Sequence, residues 1–526
     1  MRDTTLTEAV RRQSRERPGD TAFITPERTW TFAQIHEESS RVAQGLASLG
    51  IGPGDRVACL TKQTDRAVVL LMAACKVGAV GMPVNWRLAP PEIEYVLNNG
   101  EARFLMIDEV FQEALARISV PSLRLTVASD AKADGKNLPL FDAWRAGFQP
   151  EDPGHEANPD DTALQLFSSG TTGLPKGIEL THANLTLMNE LYAESTGFDG
   201  ARSVFFNALP IFHIAGINSA FMPLIEGGRN LLLPDFDPAR VIAAIGEHRV
   251  SHTFLVPAMM LFMLQTPGVE KADFSSLELI AYGGSPAGEK LMIDAQRVFG
   301  CKLLQIYGMT EAAGTLTALS PEDHDPGGAR AHLLRSAGKP IRSVDMRIVD
   351  PGTLEEVGEG EVGEVVVRAL HNMKGYWRNP RATAEVFPHG RDERGGWMRT
   401  GDAGYLREGY LYIHDRIKDM IISGGENIYP AEVENALSYH PAVAECAVIG
   451  VPDEKWGEAV KACVVLKPNA SADAREIITF TRERLAHYKC PKSVDIVAAL
   501  PRNPSGKLLK RILREPYWKD AARQVS

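Results

Sequence analysis

The stretch SSGTTGLPKG, residues 168–177, is flanked by the apolar runs TALQLF and GIELTH. It combines four hydroxyl side chains, three glycines and Lys176. Glycine lets backbone N–H groups approach a phosphate, hydroxyls donate hydrogen bonds, and an ammonium neutralises charge. The stretch therefore predicts a polyphosphate-binding loop, with a Ser/Gly turn between two strands as the alternative. A Walker loop is excluded, because Pro175 stands where that motif needs glycine and Gly177 follows the lysine in place of Ser or Thr.

Outward from this loop, short apolar runs alternate with helical stretches. Examples are FLMID near residue 104, SVFFNALP near 203, LELIAYGG near 277 and CKLLQIYG near 301. Continuous apolar strands separated by helices predict parallel sheets covered on both faces, which is an α/β architecture. Ligands of such sheets bind beyond the carboxyl ends of the strands. The polar stretches SSGTTG, LPIFH, YGGSP and YGMTE each follow a strand, so we expect the ligand site where they meet.

Local signals place several elements. Thr31 and Gln34 predict a capping box ahead of an amphipathic helix that ends at Gly50. The apolar run 68–84 is too short and too broken to span a bilayer, and it predicts a buried helix and turn. Segments 148–161 and 320–340 are rich in Pro, Gly and charge, and they predict surface connections.

Composition limits the classes of protein. The chain has 526 residues, of which 44% are hydrophobic, and a net charge of -10. This predicts a globular protein of two to four domains with no general attraction for nucleic acid or an anionic membrane. Six cysteines without a CxxC motif predict reduced, mostly buried thiols. The N-terminal stretch lacks an apolar h-region, so we expect no signal peptide and a cytoplasmic location.

The pattern changes in the last third of the chain. From Met346 short β-like runs follow one another, and the last hundred residues predict a small α+β unit with a helix opening at Pro430. We place the domain boundary at Lys418, giving domains 1–417 and 418–526.

Five motifs occur in one order: the loop at 168, YGMTEAAG at 307–314, RTGDAGYLREGYLYIHDRIKD at 399–419, GGENIYPAEVE at 424–434 and PRNPSGKLLKR at 501–511. With them the chain resembles the adenylate-forming enzymes, which include acyl- and aryl-CoA synthetases, over essentially its whole length. The resemblance implies a large N-terminal domain of parallel-rich sheets with flanking helices and a small β-barrel-like subdomain. It also implies a small mobile α+β C-terminal domain that swings between two poses.

The resemblance assigns a nucleotide site. Thr310 is expected at the α-phosphate, and Glu311 is expected to bind Mg²⁺, a hard cation that keeps few protein ligands when phosphates supply the rest. Tyr307 is expected to stack on adenine, Asp402 to accept hydrogen bonds from the ribose, and Arg416 to assist at the ribose and phosphate. The remaining ATP or AMP contacts are expected from Ser168, Ser169, Gly170, Thr171, Thr172, Gly173, Lys176 and Gly283.

The C-terminal motifs receive roles in the same way. Lys507 is expected to stabilise negative charge in the adenylation transition state. Lys418 is expected to be the hinge between the two poses. Gly424 and Gly425 are expected to line the tunnel for the pantetheine arm of coenzyme A.

His213 is expected to be the gate between acyl pocket and thiol tunnel, with a general-base role as the alternative. Amino-acid adenylation domains usually carry Asp at this position, so an amino-acid substrate is disfavoured. A dicarboxylate would want an arginine, and the expected lining is small and uncharged, which suits an apolar acid. The expected acyl pocket consists of Ala215, Gly216, Ile217, Gly284, Gly308, Met309 and Gly314.

Taken together, the resemblance implies an acyl-CoA synthetase that uses ATP, Mg²⁺ and coenzyme A on a medium-chain, long-chain or alicyclic acid. An aryl-CoA ligase for hydroxycinnamates or benzoates, and an acyl-AMP ligase that loads a carrier protein, are the alternatives. A nucleotide-binding scaffold on a dead enzyme fold is disfavoured, because every charge expected for catalysis is present. A homodimer is expected only because dimers are common in the family that the chain resembles.

Overall fold

A computed structural model describes residues 4–129, 138–168, 175–285, 287–416, 419–423, 426–453, 455–502 and 508–518. The chain forms two compact units. Unit 1 comprises Met1–Met346 and Val367–Met398, and unit 2 comprises Arg347–Val366 and Arg399–Ser526. The boundary at Lys418 stays a prediction.

The described helices are α1 (Leu6–Glu16), α2 (Phe32–Ser48), α3 (Asp65–Lys76), α4 (Pro90–Asn99), α5 (Gln112–Leu115), α6 (Phe141–Ala146), α7 (His182–Thr196), α8 (Ile214–Glu226), α9 (Pro238–Glu247), α10 (Pro257–Leu264), α11 (Glu289–Phe299), α12 (Pro380–Val386), α13 (Pro430–Ser438), α14 (Ala474–Arg482) and α15 (Lys510–Trp518). Short 3₁₀ segments occur at Glu109–Phe111, Val269–Lys271, Thr310–Ala312, Pro321–Asp323 and Ala331–Arg335. Among the described residues, none of these helices combines the length and hydropathy needed to cross a bilayer.

The described strands are β1 (Thr21–Ile24), β2 (Thr29–Thr31), β3 (Arg56–Leu60), β4 (Val80–Pro83), β5 (Ala102–Ile107), β6 (Leu125–Ala128), β7 (Thr162–Ser168), β8 (Lys176–Thr181), β9 (Val204–Asn207), β10 (Arg229–Leu232), β11 (His252–Leu255), β12 (Leu279–Gly283), β13 (Lys302–Met309), β14 (Gly314–Leu319), β15 (Lys339–Pro340), β16 (Val344–Val349), β17 (Gly363–Ala369), β18 (Gly375–Tyr376), β19 (Trp397–Arg407), β20 (Tyr410–Arg416), β21 (Ile421–Ser423), β22 (Glu426–Ile428), β23 (Val443–Asp453), β24 (Gly457–Leu466) and β25 (Ser493–Ile496).

Two large sheets organise unit 1. A seven-stranded sheet has the order β18-β8-β7-β4-β3-β5-β6, and a nine-stranded sheet has the order β15-β14-β13-β12-β11-β9-β10-β1-β2. Their central strands are parallel, while β8, β18, β14, β15 and β2 pair antiparallel at the edges. The parallel strands are buried along almost their whole length, as continuous apolar runs predict. The expected α/β class is confirmed.

The last third of the chain is β-rich. A four-stranded sheet, in the order β16-β17-β19-β20, lies where short β runs are predicted from Met346, and the β-barrel-like form that the resemblance implies stays a prediction. In unit 2 the strands β22-β21-β24-β23, with β25 beside β24, form a separate sheet against which α13 and α14 bury Val433, Leu437 and Ile477. This is the small C-terminal α+β unit predicted above, with its helix beginning at Pro430.

The local predictions are largely confirmed. Thr31 caps α2, and the Gln34 side chain accepts from the Thr31 N–H at 2.9 Å. Segment 148–161 contains no helix or strand. The prediction of a surface connection at 320–340 is wrong in part, because Leu333 and Leu334 of its HLLR stretch are buried. Their apolar side chains outweigh the Pro, Gly and charge around them.

Candidate active site

The hairpin of β13 and β14 carries the YGMTE motif. Its strands are antiparallel with Met309 opposite Gly314, and the short 3₁₀ segment joins them. The N–H of Ala313 donates to the carbonyl of Thr310 at 3.0 Å, and Ala313 has a φ of 50°. This tight turn places Thr310 and Glu311, both half-buried, at the carboxyl end of β13 in the nine-stranded sheet. Ligands of parallel sheets bind at such ends.

Three predicted ligand-contact glycines have a structural reason of their own. A Cβ on Gly308 would overlap the carbonyl oxygen of Gly314, and a Cβ on Gly283 would overlap that of Ile306. Gly314 has a φ of 137°, which few L-residues adopt, and its Cβ would lie 2.7 Å from Nδ2 of Asn218. Main-chain packing therefore requires glycine at these positions, and their contacts with nucleotide or acyl group stay predictions.

Glu311 meets a tyrosine from a distant part of unit 1. The hydroxyl of Tyr376 donates to Oε1 of Glu311 at 3.0 Å. The Nζ of Lys176 lies over the ring of the same tyrosine, 5.0 Å from its centroid. The structure therefore brings the predicted magnesium carboxylate and the predicted loop lysine to one side chain.

The ends of the phosphate loop are held by an antiparallel pair of strands. Ser168, the last residue of β7, lies opposite Lys176, the first residue of β8. This register brings both ends of the predicted loop together, as a loop that wraps a ligand requires. Tyr307 is half-buried on β13 opposite Thr317, and its stacking on adenine stays a prediction.

The start of α8 lies beside the turn that follows Glu311. The Asn218 side chain donates to the carbonyl of Ala313 at 2.9 Å. Ile217 is buried, and a Cβ on Gly216 would overlap the carbonyl oxygen of Pro210. The structure therefore places Asn218 of α8 against the turn at Ala313 and Gly314, and a shared acyl pocket of Gly216, Ile217 and Gly314 stays a prediction. Of the other predicted lining residues, Ala215 and Met309 are half-buried, and Gly284 is exposed with a φ of 81°.

His213 is the N-cap residue of α8. Its ring lies 4.5 Å from the ring of Phe212, and its Nε2 is buried without a hydrogen-bond partner among the described residues. Burial lowers the pKa of His213 to about 4, and the positive charge of Arg87 acts in the same direction. The imidazole is therefore neutral near pH 7, and the choice between a gate and a general base stays a prediction.

Asp402 and Arg416 belong to unit 2. They face each other as register partners on β19 and β20, and Asp402 is buried. The N–H of Asp402 donates to Oγ1 of Thr400 at 3.1 Å, and the Thr400 hydroxyl donates to the carbonyl of Val365 at 2.7 Å. The TGD turn is thus fixed by its own threonine, with Gly401 at a φ of 72°. The ribose roles of this pair stay predictions.

The remaining predicted site residues lie outside the described residues, so nothing is stated of their structure. They are Ser169, Gly170, Thr171, Thr172, Gly173, Lys418, Gly424, Gly425 and Lys507.

Comparison with known proteins identifies the family of this chain. The model of the family "AMP-binding enzyme" matches residues 10–377, and that of the "AMP-binding enzyme C-terminal domain" matches residues 432–507. The chain belongs to the AMP-binding enzyme family. It is an adenylate-forming enzyme of the acid–thiol ligase class, as the motifs in the sequence imply.

Relatives of this AMP-binding enzyme differ in substrate. The chain is 38% identical to a fatty acid--[acyl-carrier-protein] ligase, ScoC, of Streptomyces coeruleorubidus, over 99% of this chain and 98% of that protein. It is 39% identical to a feruloyl-CoA synthase of an Amycolatopsis species, over 96% of this chain and 98% of that protein. Its fold matches ATP-bound MatB from Rhodopseudomonas palustris with a TM-score of 0.88 and 31% identity, over 98% of this chain and 99% of that one.

Two residues of this AMP-binding enzyme site were missed by the sequence analysis. Tyr376 follows no strand-end motif, and its place beside Glu311 depends on the pairing of β18 with β8 and on the bond from the Met373 N–H to the Glu311 carbonyl. Arg87, in NWRL, places its guanidinium 4.7 Å from the ring centroid of Trp86 and 5.8 Å from that of Phe212. The expected lining of the acyl pocket is uncharged, but the structure places the positive charge of Arg87 beside it. This charge lies over the aromatic rings of Trp86 and Phe212. Nothing in the sequence of NWRL predicts that Arg87 lies beside Phe212.

Proposed function

We propose that this chain is an ATP- and Mg²⁺-dependent acyl-CoA synthetase for an apolar carboxylic acid. In the first half-reaction a carboxylate oxygen attacks the α-phosphorus of ATP and pyrophosphate leaves, which forms acyl-AMP. In the second, the thiolate of coenzyme A attacks the acyl carbon and AMP leaves with the electron pair of the broken C–O bond. Both steps bring anions together, so they depend on positioned positive charge.

The observation that carries this proposal is the arrangement of Glu311, Tyr376 and Lys176. In this arrangement a carboxylate and an ammonium both contact one tyrosine, at the first residue of β8, where the predicted phosphate loop ends. Within the described part of the chain, no group of three or more His, Cys, Asp or Glu side chains could hold a metal ion. One carboxylate supplemented by phosphate oxygens is the donor set that Mg²⁺ accepts. Glu311 would therefore hold a Mg²⁺ that offsets phosphate charge.

An acid with an uncharged tail is supported by His213 and Phe212, although the guanidinium of Arg87 lies 5.8 Å from the centroid of the Phe212 ring, and a dicarboxylate would want such an arginine. The imidazole is neutral, and its neighbour Phe212 is buried. An ammonium on the substrate would find no carboxylate at this position, since the chain has His213 where amino-acid adenylation domains usually carry Asp. We therefore propose a medium-chain, long-chain or alicyclic acid.

An aryl acid is the second candidate, and a specific observation favours it. Trp86 stacks on Phe111 with ring centroids 5.5 Å apart and meets Phe212 edge-on at 6.1 Å. Aromatic rings favour other rings in offset or edge-to-face geometry. Such a group near His213 suits a planar acid, and a feruloyl-CoA synthase is among the similar proteins.

The acceptor thiol is proposed to be coenzyme A. The proposed tunnel at Gly424 and Gly425 and the proposed hinge at Lys418 belong to the second pose of the domain 418–526. A carrier-protein phosphopantetheine is the alternative, since ScoC is a ligase for acyl-carrier protein. The chemistry of acyl transfer is the same for either thiol.

AMP release across a panel of acids tests the function. The panel contains short, medium and long fatty acids, an alicyclic acid, coumarate, ferulate, benzoate and several amino acids, each with and without coenzyme A. We expect release from aliphatic or alicyclic acids that requires coenzyme A. Preference for ferulate or coumarate would move the enzyme to the aryl-CoA ligases. Acyl-AMP accumulation indifferent to coenzyme A would favour the carrier-protein alternative, and absence of ATP–pyrophosphate exchange with every acid would refute the proposal.

The division of labour between the two poses has its own test. Lys507→Ala should nearly abolish acyl-AMP formation yet leave thioester formation from pre-made acyl-AMP largely intact, because its charge is needed only in adenylation. Glu311→Gln is the comparison, since it removes the proposed metal ligand. Equal loss in both half-reactions for Lys507→Ala would contradict the assignment.

A further inference from the structure

We propose that Tyr376 is a positioning residue, which sets the Glu311 carboxylate and the Lys176 ammonium in their places before Mg²⁺ and ATP bind. This inference rests on the proposed function, because Glu311 and Lys176 take their roles from it. Tyr376 itself makes two side-chain contacts with these groups, a 3.0 Å hydrogen bond and a ring face 5.0 Å from Nζ.

The main chain around Tyr376 is tied to both partners. The N–H of Met373 donates to the carbonyl of Glu311 at 2.7 Å. On the other side, the N–H of Trp377 donates to the carbonyl of Gly177 at 2.7 Å. The segment 373–377 thus links the turn of the nine-stranded sheet to the first residues of β8. A tyrosine in its middle is held relative to both.

Strand register explains why the ring meets Lys176. Tyr376 lies opposite Ile178 in the antiparallel pair of β18 and β8. Lys176 and Ile178 are two residues apart and point to the same face of the sheet. Lys176 is therefore the diagonal cross-strand neighbour of Tyr376, within reach of a long side chain.

The segment has a firm anchor at Trp377. The guanidinium of Arg56 lies 3.4 Å from the centroid of the Trp377 ring, and the Trp377 indole N–H donates to the carbonyl of Asn99 at 3.1 Å. Arg56 is itself buried and donates to Oε1 of Gln165 at 3.0 Å. On the other flank, the N–H of Tyr376 donates to Oγ1 of Thr383 at 2.9 Å. Both sides of Tyr376 are therefore fixed before any ligand is present.

The chemical consequence is that the two charges stay available. Within the described residues no ion pair joins Lys176 to Glu311, and each contacts Tyr376. A direct ammonium–carboxylate pair would neutralise both groups and would have to separate before a cation and a phosphate could bind. The hydroxyl is neutral, so it orients one carboxylate oxygen without cancelling the charge that attracts Mg²⁺.

Tyr376→Phe tests the inference, because it removes only the hydroxyl. The probe is Mn²⁺, titrated into the protein with ATP and followed by electron paramagnetic resonance. Loss of an outer hydrogen bond to a metal ligand typically weakens metal binding about 10- to 100-fold. We expect that loss, together with a matching rise in the Mg²⁺ concentration needed for ATP–pyrophosphate exchange. Tyr192→Phe is the matched control, because the Tyr192 hydroxyl is buried and unpartnered among the described residues.

A double variant separates positioning from general structural damage. If Tyr376 acts through Glu311, Tyr376→Phe should cause no further loss of Mn²⁺ affinity in a Glu311→Gln background. Tyr376→Leu removes the ring as well, and it should weaken metal-free ATP binding about two- to fivefold relative to Tyr376→Phe through the lost contact with Lys176.

Wild-type Mn²⁺ affinity in Tyr376→Phe, or additive losses in the double variant, would overturn the inference. The Mn²⁺ titration needs no acid or thiol, so it is read independently of the acid panel. Normal exchange by the wild type with an unaffected Tyr376→Phe would refute this inference alone. Absence of exchange in the wild type would refute the proposed function instead.

Discussion

Replacing Lys76 by methionine should remove a pH dependence of stability that one buried ammonium creates. Lys76 ends α3 and is fully buried. Its Nζ donates to the carbonyl of His36 and to Oγ of Ser40, each at 2.8 Å, and lies 3.6 Å from the carboxylate of Asp152. These contacts give the ammonium polar partners, but burial removes the water that would stabilise its charged form.

The size and sign of the effect follow from the pKa of Lys76. Burial lowers this pKa from 10.5 to about 7, and the nearby charge of Asp152 opposes the shift without cancelling it. Between these two values the unfolded chain holds the proton and the folded chain does not, so the free energy of unfolding rises with pH. The slope is about 1.4 kcal/mol per pH unit, or about 5 kcal/mol over the whole window. Below about pH 7 both states hold the proton, and this contribution to stability is lost.

The other charges around Lys76 keep one state across this window. The His36 ring, with Nδ1 3.1 Å from Nζ, has its pKa lowered to about 4, chiefly by burial, and is neutral. Arg11 donates to both oxygens of Asp152 at 2.7 and 3.0 Å, which raises the pKa of Arg11 and contributes to lowering that of Asp152. Only Lys76 in this cluster therefore titrates there.

The assay is guanidinium chloride unfolding, followed by tryptophan fluorescence at several values between about pH 7 and pH 10. The free energy of unfolding of the wild type should gain on that of Lys76→Met by about 1.4 kcal/mol per pH unit. Lys62→Met is the control, because Lys62 lies at the surface in an ion pair with Asp235 at 2.7 Å. Parallel curves for wild type and Lys76→Met would refute the reasoning.

Two further predictions concern the site. Gly308→Ala should destabilise the protein by about 1–3 kcal/mol and impair acyl-AMP formation, because its Cβ would overlap the carbonyl oxygen of Gly314. Gly288→Ala is the control, since the space around its Cβ is open. Equal thermal midpoints for Gly308→Ala and the wild type would contradict the prediction. His213→Phe should keep the pH profile of acyl-AMP formation unchanged between about pH 5.5 and 8, because the pKa of His213 is about 4; disappearance of a limb of the wild-type profile in that range would show that His213 titrates during the reaction.

Local chemistry let the sequence alone determine much of this protein. Thr31 and Gln34 form their capping box because capping bonds join residues three apart. The buried helix in run 68–84 and the parallel strands follow from apolar runs whose burial is favourable in any context. The YGMTE turn is likewise local, so the placing of Thr310 and Glu311 at a strand end was predictable. The family could also be predicted from the sequence, since each of its motifs is one unbroken stretch of residues.

The tertiary structure decided which distant residues meet. Tyr376 reaches Glu311 only because β18 pairs with β8 in one register, and a one-residue slip would turn its ring to the other face. Lys76 finds Asp152 only because the surface connection 148–161 returns over α1 and α2, a path that its composition did not predict. Such contacts depend on the packing of elements far apart in the chain. Strand pairing and burial fix them, and neither is written in the spacing of neighbouring residues.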